Sequence, residues 1–69
     1  MAIATNDGAT ALAHADRVVR LRRLRSSSHV LLGDARRANG DPGGARRAWQ
    51  RALTLDPNDE EAQARLAGP

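Results

Sequence analysis

The 69-residue chain has no cysteine, no phenylalanine and no tyrosine, and Trp49 is its single aromatic residue. Without cysteine there is no disulfide and no thiolate metal site. With one aromatic side chain, any core has to be assembled from Leu, Val and Ala around one large residue. Lysine is absent too, so all eleven basic residues are arginine. They outnumber the eight acids only mildly, for a net charge of +3. No apolar run approaches the roughly 20 residues of a membrane-spanning helix. The first residues lack the charged start and long apolar centre of a secretory signal. Residues 1–28 are fairly rich in Ala, Arg and Ser, as transit peptides are, but Asp7 and Asp16 count against that reading. The expected location is cytoplasmic. A chain this short buries only about 60% of its unfolded surface, so its core is marginal.

Residues 40–57 organise what is present. Asp41 is a good N-cap, and Pro42 fits the first helical position, where a missing N–H costs nothing. Ala45, Ala48, Trp49 and Ala52 follow at i, i+3, i+4 and i+7, one stripe of a helix, widened by Leu53 and Leu55. Pro57 disfavours helical geometry at Asp56, so the helix should stop near Leu55. Three alanines around one tryptophan predict close contacts on two sides, which suits stacked helical hairpins.

This stretch resembles the tetratricopeptide repeat, a helix–turn–helix unit of about 34 residues. Aligned on Pro57, the repeat runs from Ser26 to Asp59. Leu32 and Gly33 match its Leu-Gly pair. Ala35, Gly40 and Asp41 match the end of its first helix and its turn. Ala45, Trp49 and Ala52 match its Ala, large aromatic and Ala. Leu53, Leu55, Asp56, Pro57 and Asn58 match its closing Leu-x-Leu-Asp-Pro-Asn. His29 and Arg36 depart from the pattern, standing where a Trp and a Tyr are usual. Arrays of this family usually need about three repeats to cover their apolar faces. One repeat in 69 residues therefore suggests the tail of a longer array, a self-associating piece, or a subunit that completes a partner.

The flanks are read from local signals. Residues 1–8 carry no periodicity and read as a loose end. Residues 9–25 lack Gly and Pro and favour an arginine-rich helix, capped by Asp7 or Thr10. Two readings stay open: the second helix of a degenerate preceding repeat, matched only weakly because Arg23 replaces the proline, or, without that proline, one longer helix running on into residue 38. Serines 26–28 should start the next helix, which runs to residue 38 and ends at Asn39-Gly40, with Gly40 left-handed. Leu31, Leu32, Ala35 and Ala38 should face the hairpin, and Gly33 should admit a close neighbour. Asn58 and Glu61 fit a capping box for a last short helix over residues 60–69.

Candidate functional residues fall into two groups. By the repeat register, the groove-facing positions are Ser27, Val30, Asp34 and Arg37. The family's carboxylate-binding version wants Lys and Asn where Val30 and Asp34 stand, so that mode is not expected. Arg46 and Arg47 add a basic patch on the Trp49 helix, suited to an acidic partner. The second group is Arg17, Arg20, Arg22, Arg23 and Arg25, which offer contacts to nucleic-acid phosphate. These spread around the helix, and no aromatic stands near for base stacking. His14 and His29 are too far apart to begin a metal site. Ser28 and His29 point about 100° apart on a helix, which defeats a hydrolytic triad with Asp34. Gly43-Gly44 lacks the Lys and Ser/Thr of a P-loop.

The expectation is an all-α fold: a tetratricopeptide-like hairpin with an N-terminal arginine-rich helix and a short C-terminal capping helix. By resemblance it is a protein–protein interaction module, an adaptor, scaffold or assembly subunit, with no cofactor and no enzymatic activity. Its partner is another protein or a second copy, with no membrane contact. The alternative is a small basic nucleic-acid-associated protein using Arg17 to Arg25.

Overall fold

The computed structural model describes residues 8–68 and contains four helices: α1 Gly8–Leu21, α2 Ser26–Ala38, α3 Pro42–Leu55 and α4 Glu60–Ala67. Each packs mainly on its neighbours in the chain, with the α2–α3 contact the most extensive. Residues 1–7, read above as a loose end, lie outside the described region. Gly8 already belongs to α1.

Local chemistry accounts for the α2–α3 turn. Gly40 has φ 78°, the left-handed conformation that a glycine adopts without steric cost. Asp41 caps α3, its Oδ1 accepting the Gly44 N–H at 2.9 Å, with Pro42 in the first turn. The helix ends at Leu55, before Asp56-Pro57. At α4 the cap is Asp59, not Asn58: Asp59 Oδ1 accepts the Ala62 N–H at 3.1 Å. The Asn58 N–H is instead taken by Asp56 Oδ1, inside the turn. At the other end of the chain α1 stops at Leu21, four residues earlier than composition suggests, and residues 22–25 form a turn.

The core has two parts, one shared by α2, α3 and α4 and one shared by α1, α2 and α3. One joins Val30, Ala45, Trp49, Ala52 and Ala62, with Leu53 and Leu66 packed against it. The other joins Ala15, Leu32, Ala35 and Ala48, with Leu12 and Val19 beside it. Ala15, Ala45, Ala52 and Ala62 are wholly covered, and no large side chain among the described residues is. The molecule is only 17 Å through its thinnest direction. The wholly covered alanines let neighbouring helices come close. Trp49 spans the gap the alanines leave, and its ring edge lies against Gly33. A Cβ at Gly33 would overlap the indole Nε1 and Cδ1 and come within 2.8 Å of Cε2. Gly33 thus admits the ring of Trp49, and with it the close approach of α3.

Three side chains of α2 sit opposite to expectation. Leu31 is 37% exposed and does not hold the hairpin, and Ala38 is exposed as well. Val30, expected on the groove, is 4% exposed and packs between α3 and α4. Apolar residues at 30, 31 and 32 cover most of the helix circumference, so spacing alone cannot choose which two turn inward.

Candidate functional site

Asp34 joins three helices. Its Oδ1 accepts from Trp49 Nε1 of α3 at 3.2 Å and from Arg65 Nε of α4 at 2.9 Å. Its Oδ2 accepts from Arg65 Nη2 at 3.0 Å. The Arg65 contact is therefore bidentate, the geometry that gives such a pair most of its directionality. Both side chains are about one-third exposed, so solvent screens the pair and its net contribution is on the order of 1 kcal/mol. The hydrogen bond and charge of Asp34 raise the pKa of Arg65, whose guanidinium stays charged throughout. Asp34, expected as a partner contact, has its carboxylate engaged within the chain by Trp49 and Arg65.

Arg37, one turn further along α2, lies over the indole of Trp49, its guanidinium carbon 5.5 Å from the ring centre. Cation–π attraction holds it there while leaving its N–H groups free to donate. Arg37 then lines a cleft of about 110 Å³ together with Pro42, Arg46, Trp49, Arg65 and Leu66. The cleft has apolar walls and three guanidiniums, of which Arg65 alone is in an ion pair among the described residues. It can take an acidic side chain or segment that brings some apolar surface.

The structure brings together Asp34, Arg37 and Arg46 of the expected contacts. Arg47 is exposed and outside the cleft lining, and Ser27 is exposed on α2. Val30 is withdrawn into the core. Arg65 and Leu66 were not singled out by sequence, because they reach the cleft from α4, with Arg65 pairing across 31 residues. The spacing of Asp34 and Arg65 carries no signal of that pairing.

The second arginine group divides. Arg17 lines a shallow hollow with Thr10, Ala13 and His14 on α1. Arg20, Arg22, Arg23 and Arg25 surround the 22–25 turn with Leu21 and Leu24. All five arginines are exposed. His29, at the usual tryptophan position, is buried and holds this turn: its Nε2 donates to the Arg23 carbonyl at 2.8 Å. A carbonyl only accepts, so that nitrogen carries the proton. His29 is thereby occupied, and Ser28 beside it is buried.

At the start of α4, the Ser26 hydroxyl donates to Asp59 Oδ2 at 2.7 Å. That bond, followed by the Ala62 N–H, holds the Asp59 carboxyl below its ordinary pKa. Among the described residues no group of three or more His, Cys, Asp or Glu gathers to hold a metal. No helix there is long and apolar enough to cross a membrane.

Comparison with known proteins agrees with this architecture. Residues 26–68 match the family model of the tetratricopeptide repeat. Neither the curated proteins nor the solved structures contain a match to the chain.

Proposed function

The chain belongs to the tetratricopeptide repeat family, and from that membership we propose that it is an adaptor, scaffold or assembly subunit that holds an acidic segment of a partner protein in the cleft between α2, α3 and α4. The family is generally a non-enzymatic interaction module. The observation that carries the reading is the cleft itself: Arg37, Arg46 and Arg65 meet over Trp49 and Leu66. Asp34 orients Arg65, and the indole orients Arg37, so two cations are held in place before a partner arrives. Arg46 is exposed and supplies the third. A partner carboxylate here forms charge-assisted hydrogen bonds while its apolar neighbour covers Leu66. Arg47 belongs to the rim of this reading, and a cytoplasmic location goes with it.

The test is a pull-down with the wild type and with an Arg37→Glu, Arg46→Glu double variant, followed by mass spectrometry of retained proteins. The reading expects a discrete partner that the wild type keeps and the variant loses, with helicity unchanged in circular dichroism. Identical sets on both baits would sink it. The nucleic-acid reading draws on the exposure of Arg17, Arg20, Arg22, Arg23 and Arg25. It predicts nuclease-sensitive absorbance at 260 nm in the purified protein, which would be conspicuous in a chain with one Trp and no Tyr.

A further inference from the structure

The 22–25 turn exposes what a folded chain usually covers. Leu21 is 75% exposed and Leu24 is 73% exposed. They stand among Arg20, Arg22, Arg23 and Arg25, and the six residues line one open hollow. None of these arginines is in an ion pair among the described residues. A bare polyanion would engage the arginines and leave the leucines wet. A purely apolar surface would cover the leucines and strand the arginines. An acidic surface that also offers apolar atoms satisfies both.

This chain carries such a surface at the same end of the molecule. Asp56, Asp59, Glu60 and Glu61 lie within six residues, and half-buried Leu53 and Leu55 end α3 beside them. The bond from Ser26 to Asp59 fastens the start of α2 to the start of α4. The basic turn that precedes Ser26 and the acidic turn that precedes Glu60 therefore share one edge. No ion pair joins them within the chain. An edge that is positive on one side and negative on the other is self-complementary under a two-fold rotation, because each copy's basic turn meets the other's acidic turn.

We infer that this edge is an interface between two copies of the chain, with the 22–25 turn of each docked on the 56–61 segment of its partner. Leu21 and Leu24 become covered against the end of α3, and the arginines pair with Asp56, Glu60 and Glu61. The surface shares no residue with the Arg37–Arg46 cleft, so either proposal can fail without the other.

Light-scattering mass on a sizing column tests it. At low salt the wild type should have twice the 7.4 kDa chain mass, and high salt should shift it toward the monomer, since exposed charge pairs are screened. Arg22→Glu with Arg23→Glu and Arg25→Glu gives two acidic turns, and Asp56→Arg with Glu60→Arg and Glu61→Arg gives two basic ones. Each variant alone should be monomeric. Their equimolar mixture should recover the dimer mass, because both contacts again join opposite charges. Wild type that stays monomeric at low salt and high concentration overturns the inference. So does a mixture of folded variants that fails to pair. Should a charge variant lose helicity in circular dichroism, Leu21→Ser with Leu24→Ser carries the test, and a dimer that survives it overturns the interface. A higher mass that nuclease converts to monomer would assign the turn to nucleic acid instead and overturn it as well.

Discussion

The turns at the two ends of α2 are similar in length and opposite in construction. After α2, Asn39 N–H reaches both Ala35 and Arg36 carbonyls at 3.1 Å, Gly40 N–H reaches Arg37 at 3.0 Å, and Asp41 N–H reaches Arg36 at 2.9 Å. Asn39 Nδ2 adds bonds to the Gly8 and Ala35 carbonyls, and Asp41 caps the next helix. Before α2, the cap position is Arg25, which supplies no side-chain hydrogen bond. That turn is held by three backbone bonds and by His29. It also leaves two leucines in water. The hairpin turn is satisfied from within the chain, and further contacts there would add little. The α1–α2 turn has unsatisfied apolar surface and unpaired charge, the two things another molecule can supply.

This contrast can be broken from the hairpin side. Trp49→Ala should cost about 3–5 kcal/mol, because it empties the one large residue between α2 and α3. In a chain this small that should abolish cooperative thermal unfolding, followed by circular dichroism; an unchanged melting curve would refute the core placement. Gly33→Ala is a sharper probe. In an open helix it would gain up to about 1 kcal/mol. Here the added Cβ meets the indole, and overpacking of this kind costs about 1–3 kcal/mol. A stabilised variant in denaturant titration would contradict the Gly33–Trp49 contact.

Smaller effects separate the two turns directly. Asp41→Ala should lose about 1 kcal/mol with its cap. Acidification should act on the start of α4 in the same direction. The Asp59 carboxyl titrates below its ordinary value of 3.8 in the folded chain. Its contribution is therefore complete above that value and lost as pH falls through the lower folded pKa. Helicity followed from pH 7 downward should decline in that acid range, and Asp59→Asn should flatten the decline; identical profiles would remove Ser26–Asp59 from the list of stabilising contacts. Smallest of all, Arg25→Ala should change stability by less than about 0.5 kcal/mol, since no cap bond is lost. A loss equal to that of Asp41→Ala would erase the difference between the turns.

Part of the candidate cleft was readable in advance. Arg37 and Arg46 follow from the repeat register and the charge pattern, and both line it. Asp34 was also on the expected face, but its carboxylate turned out to be committed to Trp49 and Arg65. Val30 was misplaced because α2 has three consecutive apolar residues, and burial selected Val30 and Leu32 over Leu31. Leu24 of the 22–25 turn reads from the sequence as helix like Leu21 before it, since nothing in the Arg-Leu composition marks where α1 stops.

The sequence by itself determined the all-α class, the ends of α3, the left-handed Gly40, the Asp41 cap and the burial of Trp49 among alanines. Each of these is set within one or two turns of chain, by a proline, a glycine, a capping side chain or a four-residue spacing. The tertiary structure alone decided which face of α2 turned inward, that Arg65 would reach Asp34, and that the basic and acidic turns would share an edge. Those outcomes depend on which helices lie side by side, and that arrangement is fixed by how alanines, one glycine and one indole ring pack, far from the residues it positions.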